Sequence, residues 1–188
     1  MTITPEIQCV KKNPTIPSRR KIEIANWIEH LKMIPHPEGG YYREIYKSQE
    51  FISDQELTTI RYHGKRRLSS SIYFLLPSNE VSRFHRLISD ELWYYHHGSP
   101  LNIFIIHPSG KLEKIKLGPN WRNGEVLQAI IPRGSIFGST VIDEGYYSLV
   151  GCMVSPGFEF SDFTLFRRDE LLRLYPQHAD IISRLTIP

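Results

Sequence analysis

A chain of 188 residues, 40% of them hydrophobic and 12% aromatic, has enough apolar side chains to bury the core of one domain, which excludes disorder throughout its length. The net charge of +3 arises in the first 21 residues, where five basic side chains outnumber one acidic side chain, so the remainder lacks the basic surface of a nucleic-acid-binding protein. No apolar stretch approaches the roughly 20 residues of a membrane-spanning helix, and two cysteines without disulfide or zinc spacing indicate a soluble protein of the reducing cytosol.

The first predicted element is a helix. Residues 1–21 contain three prolines and no periodic pattern, so we predict a flexible basic leader there and a single domain over residues 22–188. From residue 22 onwards, apolar side chains recur at helical spacing at Ile24, Trp27 and Leu31. The helix is predicted to end before Pro35, because a residue that precedes proline is disfavoured in helical geometry.

Strands are predicted to follow the helix. A turn within residues 35–44, PHPEGGYYRE, precedes a first alternating run, and we assign its prolines and glycines to backbone shape and His36 to a cap or a packing contact. Turn residues separate most of the later apolar runs, which are five to nine residues long. The strands predicted from these runs cover residues 69–76, 83–87, 91–97, 101–107, 126–131, 136–141 and 146–154.

The end of the chain returns to helical spacing. Residues 168–185 carry apolar side chains at that spacing and are interrupted at Pro176, so two short helices are predicted there. Many short, evenly spaced strands with helices only at the ends predict a mainly β fold, a sandwich, barrel or jelly roll.

One segment resembles a known motif. Residues 79–98, NEVSRFHRLISDELWYYHHG, resemble the first motif of the cupin superfamily, in which Gly, His, His, Glu and Gly recur at fixed spacing. The residues at those positions here are, in order, Asn79, His85, Leu87, Glu91 and Gly98. The second cupin motif resembles residues 132–137, PRGSIF, where Phe137 stands at the position of the fourth metal ligand.

Together with HPEGGYY near the start and SLVGCMVSPGFEFSDF near the end, the pattern resembles the Cupin_5 (DUF985) family from about residue 24 to residue 176. This resemblance implies an antiparallel jelly-roll β-barrel, homodimers, and structural kinship to sugar-nucleotide epimerases and sugar-phosphate isomerases. Because a fold does not determine a reaction, function has to be argued from the site.

The site is predicted from strand alternation. Glu91, Trp93 and Tyr95 share one face of their strand, and His85 lies on the same side of its strand as Leu87. If that face is the barrel interior, His85 and Glu91 converge in an apolar cavity, the usual composition of a small-molecule site. We assign His85 as general base with Glu91 as its partner, and Phe137, Trp93 and Tyr95 as ligand-contacting walls.

Further candidates come from neighbouring strands. Tyr73 is a candidate proton donor, and Ser71 shares its face. Gln128 interrupts an apolar strand and is a candidate ligand contact, while Arg43 is a candidate clamp for a phosphate at the rim. Cys152 is assigned as a small buried hydrophobe.

Three functions remain open on this basis. The first is a metal-independent sugar isomerase or epimerase, and the second is a non-catalytic sensor or storage protein for a small, sugar-like molecule. The third is a metal-dependent cupin, which the sequence disfavours because Leu87 and Phe137 cannot bind a metal. We therefore predict no metal and no cofactor, and a homodimer as the assembly.

Overall fold

A computed structural model describes residues 18–53, 62 and 64–187 and consists mainly of antiparallel strands. Its helices are α1 (Ser18–His30), α2 (Arg168–Leu174) and α3 (Ala179–Arg184). Its strands are β1 (Ile34–Pro35), β2 (Tyr41–Lys47), β3 (Phe51–Ile52), β4 (Arg66–Arg67), β5 (Ser70–Pro77), β6 (Ser82–Leu87), β7 (Asp90–Gly98), β8 (Leu101–Ile106), β9 (Leu112–Leu117), β10 (Gln128–Ile131), β11 (Ile136–Val141), β12 (Tyr147–Ser155) and β13 (Phe163–Leu165).

Two large sheets form a jelly-roll barrel. One sheet has the strand order β1-β2-β5-β12-β7-β10 and the other the order β13-β6-β11-β8-β9, while β3 and β4 form a small separate ribbon. Every strand pair within these sheets is antiparallel. The chain thus has the mainly β, antiparallel architecture expected from its sequence, with helices at its two ends.

The main core fills the space between the two large sheets. Alternation along each strand directs apolar side chains inward from both sheets, among them Phe74, Trp93, Ile103, Phe137 and Val150, each at most 1% exposed. Toward one end of the barrel this packing is replaced by a cavity. The packed part of the core therefore forms the floor of the cavity.

Two smaller clusters attach the helices to the outside of the barrel. Phe84, on the outer face of β6, packs with Leu171 and Ile182 of the C-terminal helices. On the other sheet, Ile24 of α1 packs with Leu75 and the neighbouring side chains. None of the helices in the described ranges combines the length and apolar character needed to cross a bilayer.

The start of the domain differs from the prediction of a flexible leader up to residue 21. Helix α1 begins at Ser18, so the last four residues assigned to the leader are helical, and residues 1–17 lie outside the described residues. The guanidinium of Arg20 pairs with the Glu23 carboxylate one turn later and lies over the ring of Tyr146, with 4.4 Å between Cζ and the ring centre. These contacts favour helix where a basic sequence alone indicated a solvated tail.

Candidate functional site

An open cavity of about 240 Å³ lies between the two sheets. Aromatic side chains make much of its wall, namely Tyr42, Phe74, Trp93, Phe158, Phe160 and Phe163. Its polar side chains include His36, Glu38, His85 and Glu91. An apolar enclosure with a few convergent polar groups is the usual composition of a small-molecule site.

The turn between β1 and β2 carries Glu38 into this cavity. The backbone nitrogen of His36 donates to the carbonyl of Gly40 over 2.9 Å, and the backbone nitrogen of Arg83 on β6 donates to the carbonyl of Glu38 over 2.9 Å. Gly39 has a φ of +112°, and a side chain there would place its Cβ 2.2 Å from the carbonyl oxygen of Val81. Only glycine permits this close approach of the turn to β6.

His85 contacts a hydrogen-bonding group at each ring nitrogen. Its Nδ1 lies 2.7 Å from the carbonyl oxygen of Arg83, and its Nε2 lies 3.2 Å from Oε2 of Glu38. A carbonyl oxygen can only accept, so Nδ1 carries a proton, and Nε2 is the nitrogen that can gain or lose one. Nε2 of His85 therefore interacts directly with the Glu38 carboxylate, and the two groups titrate as a pair.

Three groups surround the Glu38 carboxylate. Burial alone would raise its pKa, but the His85 imidazole, the His36 ring and the Ser82 hydroxyl together hold the pKa of Glu38 below its ordinary value. The Ser82 hydroxyl donates to Oε1 over 2.8 Å, and Nδ1 of His36 lies 3.3 Å from Oε2. Burial lowers the pKa of His85, against the opposing attraction of Glu38. Glu38 is thus held as a carboxylate, next to an imidazole that burial favours in its neutral form.

Glu91 has the opposite character. Burial, reinforced by the nearby Glu38 carboxylate, raises the pKa of Glu91 from 4.5 to about 8. The indole of Trp93 and the thiol of Cys152 lie close enough to oppose this shift in part. Within the described chain, however, neither Oε2 of Glu91 nor Nε1 of Trp93 has a hydrogen-bond partner with acceptable geometry. Glu91 is therefore a neutral carboxylic acid at neutral pH, with an oxygen free for a ligand.

The structure changes the partner predicted for His85. We expected Glu91 to orient the imidazole, but Glu38 occupies Nε2, and the described residues show no ion pair between His85 and Glu91. Glu38 comes from a turn 47 residues earlier in the chain, so strand alternation around residues 79–98 could not reveal it. The signal that was available is the pair of glycines after Glu38, which marks a close backbone approach.

The other predicted site residues divide into two groups. Trp93 and Ser71 line the cavity, and Phe137 lies directly behind it, with its ring centre 4.0 Å from that of His85. Tyr95 points into the barrel below the cavity, where its hydroxyl donates to the carbonyl of Gly98 over 2.7 Å. Tyr95 thus belongs to the floor rather than to the cavity wall.

Three residues that we predicted to belong to the ligand site lie outside the cavity, so that prediction is wrong for them. Tyr73 points to the opposite face of β5 from Phe74 and packs with the α1 cluster and the ring of His96. Gln128 and Arg43 are exposed on the outer face of their strands. Side chains alternate between the two faces of a strand, so a neighbour takes each inward position: Phe74 beside Tyr73 and Tyr42 beside Arg43 line the cavity, and Ala129 beside Gln128 is in the core.

The rim of the cavity is acidic. Lys47 at the end of β2 lies 3.2 Å from Oε1 of Glu159 and 4.0 Å from Oε2 of Glu44, so one cation lies between two carboxylates.

Cys152, assigned from sequence as a small buried hydrophobe, is buried in the cavity wall. Burial, with the adjacent Glu91 and Glu38 carboxyl groups, raises the pKa of its thiol well above the ordinary value, so it stays protonated.

The residues at the metal-ligand positions of the cupin motifs do not fit a metal ion. Leu87 and Phe137 carry no donor atom, and both ring nitrogens of His85 already contact other groups. The part of the chain that the structure describes holds no group of three or more His, Cys, Asp or Glu side chains arranged for a metal.

Comparisons with known proteins agree with this architecture. The family model described as Cupin superfamily (DUF985) matches residues 25–166. Protein SO0799 from Shewanella oneidensis is similar in structure, with a TM-score of 0.78, 45% identity, and coverage of 87% of this chain and 96% of that one. A hypothetical protein from Leishmania major also has a TM-score of 0.78, with 37% identity and coverage of 87% and 98%. The uncharacterized protein YML079W from Saccharomyces cerevisiae is 29% identical over 171 residues, which are 85% of this chain and 81% of that protein.

Proposed function

The chain belongs to the Cupin_5 (DUF985) family of the cupin superfamily, and we propose that its barrel cavity binds a small, sugar-like molecule and transfers a proton on it, as an isomerase or epimerase does. The observation that carries this proposal is the presence of two carboxyl groups of opposite ionisation in one cavity. The pKa of Glu38 is held down by its neighbours, while burial raises that of Glu91 to about 8. Environments that separate two pKa values in this way assign a base and an acid.

The roles follow from the contacts. The Glu38–His85 pair accepts a proton from the bound molecule, because burial keeps the imidazole ready to receive one and the carboxylate stabilises the imidazolium that forms. Glu91 donates a proton or a hydrogen bond from the other side. Removal and return of one proton requires no cofactor, and it yields an isomer or an epimer.

The walls of the cavity support a sugar-like ligand. Aromatic faces such as those of Phe74 and Trp93 pack well against the C–H face of a sugar ring, while hydroxyl groups reach Ser70 and Ser71. At about 240 Å³, the cavity is smaller than the roughly 300–1,000 Å³ of pockets for drug-sized ligands. A single sugar-sized unit therefore fits the enclosed volume better than a whole nucleotide sugar.

Deuterium exchange tests the proposed proton transfer. The purified protein is incubated in D₂O with a panel of sugars, sugar phosphates and nucleotide sugars, and incorporation of deuterium at carbon is followed by NMR. We expect incorporation into at least one compound with the unsubstituted protein, and a loss of at least about 100-fold in rate for Glu38→Gln, within the usual contribution of general base catalysis. The matched control is Glu113→Gln, a partly exposed carboxylate that pairs with His107 outside the barrel.

Two outcomes would overturn the proposal. One is binding of a compound with no exchange above the background rate in buffer, which would identify a binding protein rather than an enzyme. The other is exchange that Glu38→Gln and Glu113→Gln leave equally fast, which would place the base elsewhere. A circular dichroism spectrum and a melting curve for each variant verify that it is folded.

A further inference from the structure

Two buried polar atoms in the cavity wall have no hydrogen-bond partner among the residues that the structure describes. They are Oε2 of Glu91 and Nε1 of Trp93, in residues that are 7% and 1% exposed. Both residues are on β7, two positions apart, so their side chains lie on the same face of the strand and both line the cavity. A buried polar atom without a partner destabilises the folded state, so two of them side by side need an explanation.

The chemistry of the two atoms defines their complement. An indole N–H can only donate a hydrogen bond. Glu91, buried among apolar side chains, has the O–H of a neutral acid to donate as well. Two donors on one face of β7, both in the cavity wall, complement a single acceptor oxygen, and the best acceptor is one on which negative charge develops.

A base lies across the cavity from these donors. His85 is on β6 of the five-stranded sheet, and the backbone of Glu38 in the β1–β2 turn is hydrogen-bonded to Arg83 of that strand, whereas Glu91 and Trp93 are on β7 of the six-stranded sheet. A molecule between the sheets can thus have an oxygen held by one wall while a C–H group meets the base on the other. A carbonyl group with an adjacent acidic C–H bond has this arrangement of groups.

We propose that Glu91 and Trp93 bind the carbonyl oxygen of a small, uncharged hydroxy-aldehyde or hydroxy-ketone, which the Glu38–His85 pair converts to its enol. This inference rests on the proposed function and names the substrate class for the same site. The C–H bond next to the carbonyl breaks, and its proton goes to the Glu38–His85 pair. The C–H electrons form a C=C bond, and the π electrons of the carbonyl move to the oxygen, which takes the Glu91 proton. Return of a proton to either carbon gives back a carbonyl compound, so no oxidant or reductant is consumed.

The charges around the cavity select an uncharged substrate. Lys47 is the cation among the lining residues described, and two carboxylates already hold it, which leaves the rim with a net negative charge. Arg43, which would have been the phosphate clamp, is exposed on the outer side of β2. A phosphate group would therefore meet repulsion at the rim and no free cation.

Ligand-observed NMR titration tests this inference by binding, independently of turnover. The probes are glycolaldehyde, dihydroxyacetone, erythrulose and fructose, each compared with its phosphate ester and with the polyol that lacks its carbonyl. We expect at least one carbonyl compound to bind at least about tenfold more tightly than either counterpart, the effect of about one good hydrogen bond.

Substitutions then separate the donors from the base. Trp93→Phe removes the N–H donor, and Glu91→Met removes the carboxylic acid. Each variant should bind that carbonyl compound about tenfold more weakly, while the affinity of the variant for the polyol stays unchanged. Glu91→Gln keeps a donor and should retain binding while losing exchange. The matched control is Trp121→Phe, whose indole is 71% exposed.

The results that would overturn the inference are separable from failure of the proposed function. Tighter binding of the phosphate esters, no binding of any uncharged carbonyl compound, or affinities that Trp93→Phe and Glu91→Met leave unchanged would each refute the donor pair. If the carbonyl compound binds as expected but acquires no deuterium, the binding inference stands and the proton transfer fails. Because Trp93 is packed in the core, Glu91→Met serves as the second variant should Trp93→Phe unfold.

Discussion

At the scale of single residues, the site depends on two carboxyl groups in unlike surroundings. Glu38 is encircled by His36, Ser82 and His85, so its charge is balanced within the protein. Oε2 of Glu91 has no hydrogen-bond partner among the described residues, and burial holds the group neutral. The contrast makes each group's contribution to stability depend on pH in a different way.

Glu91→Gln is predicted to stabilise the protein increasingly as pH rises. The pKa of Glu91 is about 8 in the folded state against 4.5 when free. Because the pKa is raised on folding, the folded state binds this proton more tightly than the unfolded state does. The resulting contribution to the free energy of unfolding is fully present below pH 4.5 and is lost as the pH rises toward 8. By linkage, the unsubstituted protein should lose about 3 kcal/mol relative to Glu91→Gln between pH 4.5 and pH 7. Urea denaturation at both pH values measures the difference, and a gap that does not change with pH would contradict the raised pKa.

His85→Ala tests the pairing with Glu38. Loss of the imidazole removes one partner of a buried carboxylate, which is expected to cost about 1–3 kcal/mol of unfolding free energy at pH 7. Removing both partners is less costly than the sum of the two single changes, because no charge is then left unpaired. Urea denaturation of His85→Ala, Glu38→Gln and the double variant gives the coupling energy. Additive losses would show that the two side chains do not interact.

At the scale of elements, the β1–β2 turn positions the base. The left-handed backbone at Gly40 has a φ of +69°, and a Cβ there would lie 2.7 Å from the carbonyl oxygen of Leu75. Gly134 has a similar φ of +75°, but a Cβ there would meet nothing within 4 Å. The two glycines thus separate the cost of left-handed backbone from the cost of crowding.

Gly40→Ala is predicted to lower the melting temperature more than Gly134→Ala. Both variants bear the strain of a left-handed alanine, about 1–2 kcal/mol, but only Gly40→Ala must also displace the turn from β5. We further expect Gly40→Ala to slow deuterium exchange, because the displaced turn carries Glu38. Differential scanning calorimetry of the two variants makes the comparison, and equal losses would show that the close approach is unimportant.

The strand segments that the sequence predicted lie within about two residues of observed strands. Residues 136–141 match β11, and the predicted segments at 69–76, 83–87 and 91–97 match β5, β6 and β7 with small shifts at their ends. Alternation in these strands also placed His85, Glu91 and Trp93 correctly on the cavity side. Local pattern suffices for these features because each strand has one buried face.

Features that depend on distant parts of the chain were missed. Strand β9 has the sequence LEKIKL, whose three charged residues do not indicate a strand; in the structure Leu117 lies in the main core and Ile115 packs against it. Tyr73 was placed in the site because its face on β5 cannot be chosen without knowing which side α1 covers. Glu38 was missed because a turn gives no periodicity that would indicate where its side chain points.

At the scale of the whole molecule, the outer face of the six-stranded sheet is only partly covered. Strand β10 is its last strand; Ile130 on the outer face is 57% exposed, and Leu127, just before the strand, is 64% exposed. Half-buried Leu92 and Tyr94 on β7 lie opposite Ile130 and Gln128 in register. An apolar surface at the edge of a sheet is suited to association with a second copy through a two-fold axis.

We predict that the protein is a dimer that Ile130→Lys dissociates. In a two-fold interface each substitution occurs twice, and burial of an ammonium group without a partner opposes association. Sedimentation at micromolar concentration should give twice the chain mass of 22.0 kDa for the unsubstituted protein and a single chain for Ile130→Lys. The matched control is Leu174→Lys, on helix α2, which is 62% exposed and lies away from β10 in the fold, and which should leave the dimer intact. A monomeric unsubstituted protein would refute the dimer, and a dimer that persists in Ile130→Lys would move the interface away from β10.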